Sequence, residues 1–109
     1  MARETLSVEE LARIVKSRRD ADPETSYTAR LFARGIDQCA KKFGEEAVET
    51  VIASLSGDKQ AICAETADVL YHLVVLLEAA GVDLQDVYAE LGRREGTSGI
   101  EEKAARRHT

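Results

Sequence analysis

A chain of 109 residues, 44% of them hydrophobic and 32% charged, is sized for one globular domain and is too apolar to be disordered. Its formal net charge of -5 leaves no basic footprint of the kind that non-specific nucleic-acid binding needs. No apolar run links a basic start to a small-residue cleavage site, and the longest unbroken apolar stretch, Leu73 to Leu77, is too short to cross a bilayer. The expectation is a cytoplasmic protein, one domain over residues 1–109, with neither nucleic acid nor membrane as partner. A domain this small buries a modest fraction of its surface, so self-association would help it.

The first helix is announced by Ser7 and Glu10, the S-x-x-E capping box, with Leu6 and Leu11 at hydrophobic-staple positions. Leu11, Ile14 and Val15 form its apolar stripe, and it is expected to run to about Arg19. A polar loop over Asp20 to Thr25 is broken by Asp22-Pro23. A short helix should cover Tyr27 to Arg34 and stop at Gly35. A second long helix is expected from about Asp37 to Leu55, capped by Gly57. Asp58 then opens a third long helix that closes at Gly81. Asp83 caps a shorter helix, with Val82 and Val87 again at staple positions, and Arg93 to Ser98 reads as a loop. Ser98 and Glu101 repeat the capping-box pattern ahead of a charged tail helix. The pattern is all-α, a bundle of about four to five helices joined by short turns. Cys39 and Cys63 lack zinc-ligand spacing and fall among apolar neighbours, so both read as small buried hydrophobes.

The chemistry sits on the two longest helices. On a wheel at about 100° per residue, Glu45, Glu46 and Glu49 of the second long helix share one stripe with Lys42. Ala40, Ala47, Val48, Val51, Ile52 and Leu55 form its apolar face, which is expected to be buried, with Glu45 beside Ile52 at the edge. The third long helix is apolar almost all round, as buried helices are. Yet Glu65, Asp68 and His72 fall in one strip of roughly 60°. Clustered acids repel, and sheltered ones repel more, unless something neutralises them. The short turn at Ser56–Asp58 makes the two helices antiparallel and can bring Glu46 and Glu49 across from Glu65 and Asp68. A lone E-x-x-E or E-x-x-D is usually a solvated face. Two such patterns on adjacent helices favour a hard divalent cation, and magnesium takes carboxylate oxygens while keeping sites for water and phosphate. The acids alone name no substrate.

The segment Gly44-Glu45-Glu46-x-x-Glu49 followed by Glu65-x-x-Asp68 resembles the signature of the all-α, MazG-like nucleotide pyrophosphohydrolases. Ser26-Tyr27-Thr28, Lys41-Lys42-Phe43-Gly44-Glu45-Glu46 and Ala67-Asp68-Val69-Leu70-Tyr71-His72-Leu73 resemble one branch, the phosphoribosyl-ATP pyrophosphatase family. The likeness covers roughly Leu6 to Arg94. It implies a MazG-like bundle completed by dimerisation, a homodimer. It also implies magnesium-dependent hydrolysis of phosphoribosyl-ATP to phosphoribosyl-AMP and pyrophosphate, the second step of histidine biosynthesis.

By that resemblance Glu46, Glu49, Glu65 and Asp68 are metal ligands; Glu45, about 100° round the helix from Glu46, is assigned to orient or deprotonate the attacking water, with exchange of that role with a ligand and shared ligation of two ions both left open. Lys42, Lys41, Ser26, Tyr27, Thr28 and His72 are candidate substrate contacts. Several have plain structural alternatives. Lys42 can simply pair with Glu46, Ser-Tyr-Thr can simply start a helix, and His72 can be a core histidine. Arg30 and Arg34 read as surface charge, and Tyr71, opposite the acid strip, as packing. Two rival functions stay open at this level. One is a general nucleoside-triphosphate pyrophosphatase; the other is a helical adaptor whose acids bind a basic partner.

Overall fold

The computed structural model describes residues 4–96 and 99–107, and among these it contains six helices and no strand. Helix α1 spans Val8–Ser17, α2 Tyr27–Ala33, α3 Ile36–Ser56, α4 Lys59–Ala80, α5 Leu84–Arg94 and α6 Gly99–Arg107.

The start signals act as the residue types require. Ser7 accepts from the Glu10 amide at 3.1 Å while the Glu10 carboxylate accepts from the Ser7 amide at 3.2 Å, a complete capping box. Ser26 caps α2, and Asp58 and Asp83 cap α4 and α5 through their carboxylates. Gly57 closes α3 at φ 77°, the left-handed conformation that lacks a Cβ penalty only for glycine, and this turn folds α4 back antiparallel on α3. Ser98, the proposed cap of the tail helix, lies outside the described residues. The first helix ends near Ser17 rather than Arg19, and α5 extends to Arg94, two residues into the expected loop.

The core forms where α1, α2 and α4 meet the start of α3. Val15, Leu31, Cys39, Val74 and Val75 are buried there, with Leu11, Phe32, Tyr71 and Leu76 packed around them. Cys39 is one of the best-buried side chains, and its thiol donates to the Leu31 carbonyl at 3.5 Å. Arg19 donates to the Glu78 carbonyl and carboxylate, both at 3.0 Å, and lies over the Phe32 ring.

Three expectations about burial are corrected. The apolar face of α3 is not covered: Val48, Val51, Ile52 and Leu55 are 59, 60, 59 and 84% exposed. Nor is α4 buried all round, since Leu70 is partly open and Ala64 and Ala67 are exposed. Cys63, on the same half of α4, is exposed rather than buried. The reason is architectural. Helices α1 and α2 cover α4 and α3 at the Cys39–Val75 end, and among the described residues the half of the α3–α4 hairpin nearest Gly57 is left largely exposed. The whole of α4, 22 residues, is long and apolar enough to cross a membrane by length and composition, although its longest unbroken apolar run is short. It carries Glu65, Asp68 and the buried His72 along one strip and packs against α1, α2 and α3.

Candidate active site

Helix α3 supplies Glu45, Glu46 and Glu49, and α4 supplies Glu65 and Asp68. The antiparallel hairpin brings Glu46, Glu65 and Asp68 together: one carboxylate oxygen from each lies within 4.8 Å of the others. Glu46 and Glu65 are half-buried, and Asp68 faces outward. Glu49 stands outside this trio but within electrostatic reach of Glu65. Burial, then the charges of Asp68, Glu49 and Glu46, push the Glu65 carboxyl above the ordinary carboxylate range. Three neighbouring carboxylates therefore bear on Glu65.

Lys42 is the cation at this cluster. Its Nζ lies 3.5 Å from Glu45 Oε2 and 3.9 Å from Glu46 Oε1, so it faces both acids from the preceding turn. Glu45 is about half exposed at the rim of the site, and Lys41 is exposed on the flank.

His72, one turn beyond Asp68, is 5% exposed, and its Nδ1 has no hydrogen-bond partner among the described residues. Burial lowers its pKa, opposed by Glu46, Asp68 and Glu45 and assisted by Lys42, so the imidazole is neutral at physiological pH. The Tyr27 and Tyr71 rings pack against it edge-on, with centroids at 6.3 and 5.0 Å. Tyr27 is half exposed and forms the outer wall of this aromatic group.

The Ser-Tyr-Thr segment divides into three parts. The Ser26 hydroxyl caps α2 by accepting from the Ala29 amide at 3.1 Å. Tyr27 faces outward, and the buried Thr28 hydroxyl bonds the Tyr71 hydroxyl at 2.5 Å. Arg30 donates to the Pro23 carbonyl, and Arg34 is at the surface.

Helical periodicity missed one residue at the cluster, Thr50. Its hydroxyl reaches carbonyls on both long helices. A mid-helix threonine gives no local signal of such a bridge. A cleft of about 460 Å³ opens elsewhere, between α1 and the α4–α5 corner, lined by Arg13, Lys16, Val74, Leu77, Val82 and Leu84 among others.

The donor set is all carboxylate oxygen, from two helices, with like charges close enough to disturb Glu65. That fits a hard divalent cation and phosphate chemistry. A family profile described as phosphoribosyl-ATP pyrophosphohydrolase matches residues 8–95. The chain belongs to the phosphoribosyl-ATP pyrophosphohydrolase family. Among its relatives, the phosphoribosyl-ATP pyrophosphatase of Rhizorhabdus wittichii is 57% identical over 102 residues, 94% of this chain and 96% of that protein. The protein of the same name from Cereibacter sphaeroides is 58% identical over 99 residues, 91% of this chain and 96% of its own length. That of Azorhizobium caulinodans is 51% identical across the full length of both. The matched span contains every acid of the cluster, Lys42, His72 and the Ser-Tyr-Thr segment. An all-α hydrolase of this family is what the sequence resemblance implied.

Proposed function

We propose that the chain binds magnesium at its carboxylate cluster and there performs the reaction for which its family is named. Phosphoribosyl-ATP and water give phosphoribosyl-AMP and pyrophosphate, the second step of L-histidine biosynthesis. The observation that carries the reading is the convergence of Glu46, Glu65 and Asp68, within 4.8 Å, in a chain whose relatives bear that enzyme's name.

Glu46, Glu65 and Asp68, with Glu49 beside them, would hold the cation. When bound, magnesium supplies neutralising charge for the phosphates and for the pyrophosphate leaving group. Glu45, at the rim and unburied, is placed to accept a proton from the attacking water at its carboxylate or to orient that water. Water oxygen forms the new bond to the α-phosphorus, the bond to the bridging oxygen breaks, and pyrophosphate departs. Lys42 is positioned to grip a phosphate oxygen once substrate competes with its two carboxylate partners, and Lys41 is a flanking cation. Tyr27 and His72 form the aromatic side of the substrate site. Ser26 and Thr28 serve it by building and docking the start of α2, so any contact of theirs with substrate would be made beside those bonds.

We also propose a homodimer. The bare stripe Val48, Val51, Ile52 and Leu55 is a contiguous apolar helix face of the kind that marks an interaction site. A second copy supplies the same stripe by two-fold symmetry. The cytoplasm is the compartment proposed for such a biosynthetic enzyme.

The test is pyrophosphate release from phosphoribosyl-ATP, with magnesium and with chelator, alongside dUTP and dCTP. Turnover of phosphoribosyl-ATP that requires magnesium and exceeds that of both nucleotides is expected. Equal rates in chelator would remove the metal assignment. Preference for dUTP or dCTP would move the chain to the general pyrophosphatases.

A further inference from the structure

Thr50 sits one turn after Glu46 on α3, half-buried against α4. Its Oγ1 lies 2.9 Å from the Glu46 carbonyl oxygen and 3.0 Å from the Glu65 carbonyl oxygen. The first contact is ordinary for a helical threonine, which often bonds the carbonyl four residues back. The second is not local, because it crosses from α3 to α4. A mid-helix carbonyl uses one lone pair on its own helix and has a second free, so Glu65 can accept a side chain without breaking its turn. The single hydroxyl proton is shared between the two acceptors.

Among the described residues no other side-chain hydrogen bond joins α3 to α4. Apolar packing between the two helices is non-directional, so it resists separation better than sliding. A slide of one residue along a helix is about 1.5 Å. Magnesium demands near-ideal octahedral oxygen geometry, so a far smaller slide already matters to a cation shared between helices. The two carbonyls that Thr50 ties belong to Glu46 and Glu65, two of the three residues whose carboxylates converge.

We propose that Thr50 is a positioning residue: its bridging hydroxyl fixes the axial register of α3 on α4 at which Glu46 and Glu65 reach one cation. This rests on the reading of the carboxylate cluster as a divalent-cation site.

The experiment titrates manganese, a spectroscopically visible oxygen-seeking probe, into the full chain without substrate. Binding is read by calorimetry and by the resonance of free manganese. Thr50→Val keeps the shape and removes the hydroxyl; Thr50→Ala removes it in the best helix former, so misfolding of the valine variant would not end the test. Both should bind manganese about tenfold more weakly, the low end of what support for metal ligands is worth. Thr50→Ser should restore affinity. Ser54→Ala, which removes a hydroxyl bonded only to the Val51 carbonyl of its own helix, should bind like the unaltered chain. Unchanged affinity in both hydroxyl-free variants, a loss that serine does not restore, or an equal loss in Ser54→Ala would overturn the role of Thr50 alone. Failure of the unaltered chain to bind, or full binding by Glu65→Gln, would overturn the cluster and the role of Thr50 together.

Discussion

The hydroxyls of Thr28 and Tyr71 lie 2.5 Å apart and join α2 to α4 beneath the aromatic wall of the site. Thr28 is buried, and burial, only partly offset by this bond, raises the Tyr71 pKa. Each hydroxyl is the other's partner, so removing one strands the other. Thr28→Val and Tyr71→Phe should each destabilise the chain by about 1 to 3 kcal/mol in urea unfolding. The double variant should fall well short of the sum, because two apolar groups of like shape leave nothing unsatisfied. Strict additivity would show that the two hydroxyls act separately.

Glu65 gives a pH signature that opposes the usual behaviour of a surface carboxylate. Burial, then Asp68, Glu49 and Glu46, hold its folded-state pKa above the unfolded value. Below the unfolded value both states are protonated, and the fold carries no penalty at this position. As pH rises through that value and then the folded one, the fold must ionise a carboxyl that resists, and stability is lost. Metal-free Glu65→Gln should therefore melt higher than the unaltered chain at pH 7, and the gap should close toward about pH 4. Magnesium should raise the Tm of the unaltered chain and do far less for the variant. A metal-free variant that melts lower at neutral pH would show that the acids are not in conflict.

The helix period made much of this site legible. Which residues share a face follows from 3.6 residues per turn, and the Gly57 turn opposes the two helices, so the approach of Glu46 to Glu65 and Asp68 is legible in the sequence, while Glu49 stands outside that trio. Local capping chemistry marks four of the six helix starts, because Ser7, Ser26, Asp58 and Asp83 each satisfy amides that the helix itself cannot. What periodicity leaves open is whether an apolar face is covered, and by which chain. Val48 to Leu55 reads as a core stripe yet is bare in one copy, and Cys63 shares that exposure. Axial register is equally silent. The reach of Thr50 to Glu65 and of Thr28 to Tyr71 depends on fractions of a turn between packed helices, which a pattern within one helix does not carry.

The turn that pairs α3 with α4 rests on a conformation that glycine takes without penalty and other residues do not. A Cβ on Gly57 would meet nothing within 4 Å, so Gly57→Ala tests the backbone alone. At φ 77° an alanine pays the left-handed penalty, about 1 to 2 kcal/mol. Asparagine tolerates that region better and should cost less. Denaturant midpoints of the two variants check this, and an alanine variant as stable as the unaltered chain would mean that the turn adopts another conformation.

Substituting Glu49→Gln or Asp68→Asn should lower turnover of phosphoribosyl-ATP by about two orders of magnitude or more, while helicity by circular dichroism stays unchanged. Neither side chain is buried, so neither substitution opens a cavity. Loss of activity with retained fold separates the chemical role from a packing one. Near-normal rates in both variants would detach the acids from the reaction.

The bare stripe of α3 makes the last prediction, on assembly. With Thr50 bonded to the Glu65 carbonyl across the antiparallel pair, Ile52 stands level with Cys63, and Val48 with Ala67. All four are exposed, which extends the open surface from α3 onto α4. Ile52→Lys places a charge in the middle of it, and a buried unpaired charge is far costlier than a lost methyl contact. Sedimentation should find the unaltered chain dimeric and the variant monomeric. The thiols report on the same face independently. Cys39 is buried, with its pKa raised by that burial, and should stay unreactive toward a thiol reagent in both proteins. Cys63 should react freely in the monomeric variant and slowly in the dimer. Equal Cys63 rates with a dimeric unaltered chain would confine the interface to α3, and a monomeric unaltered chain would end the homodimer proposal.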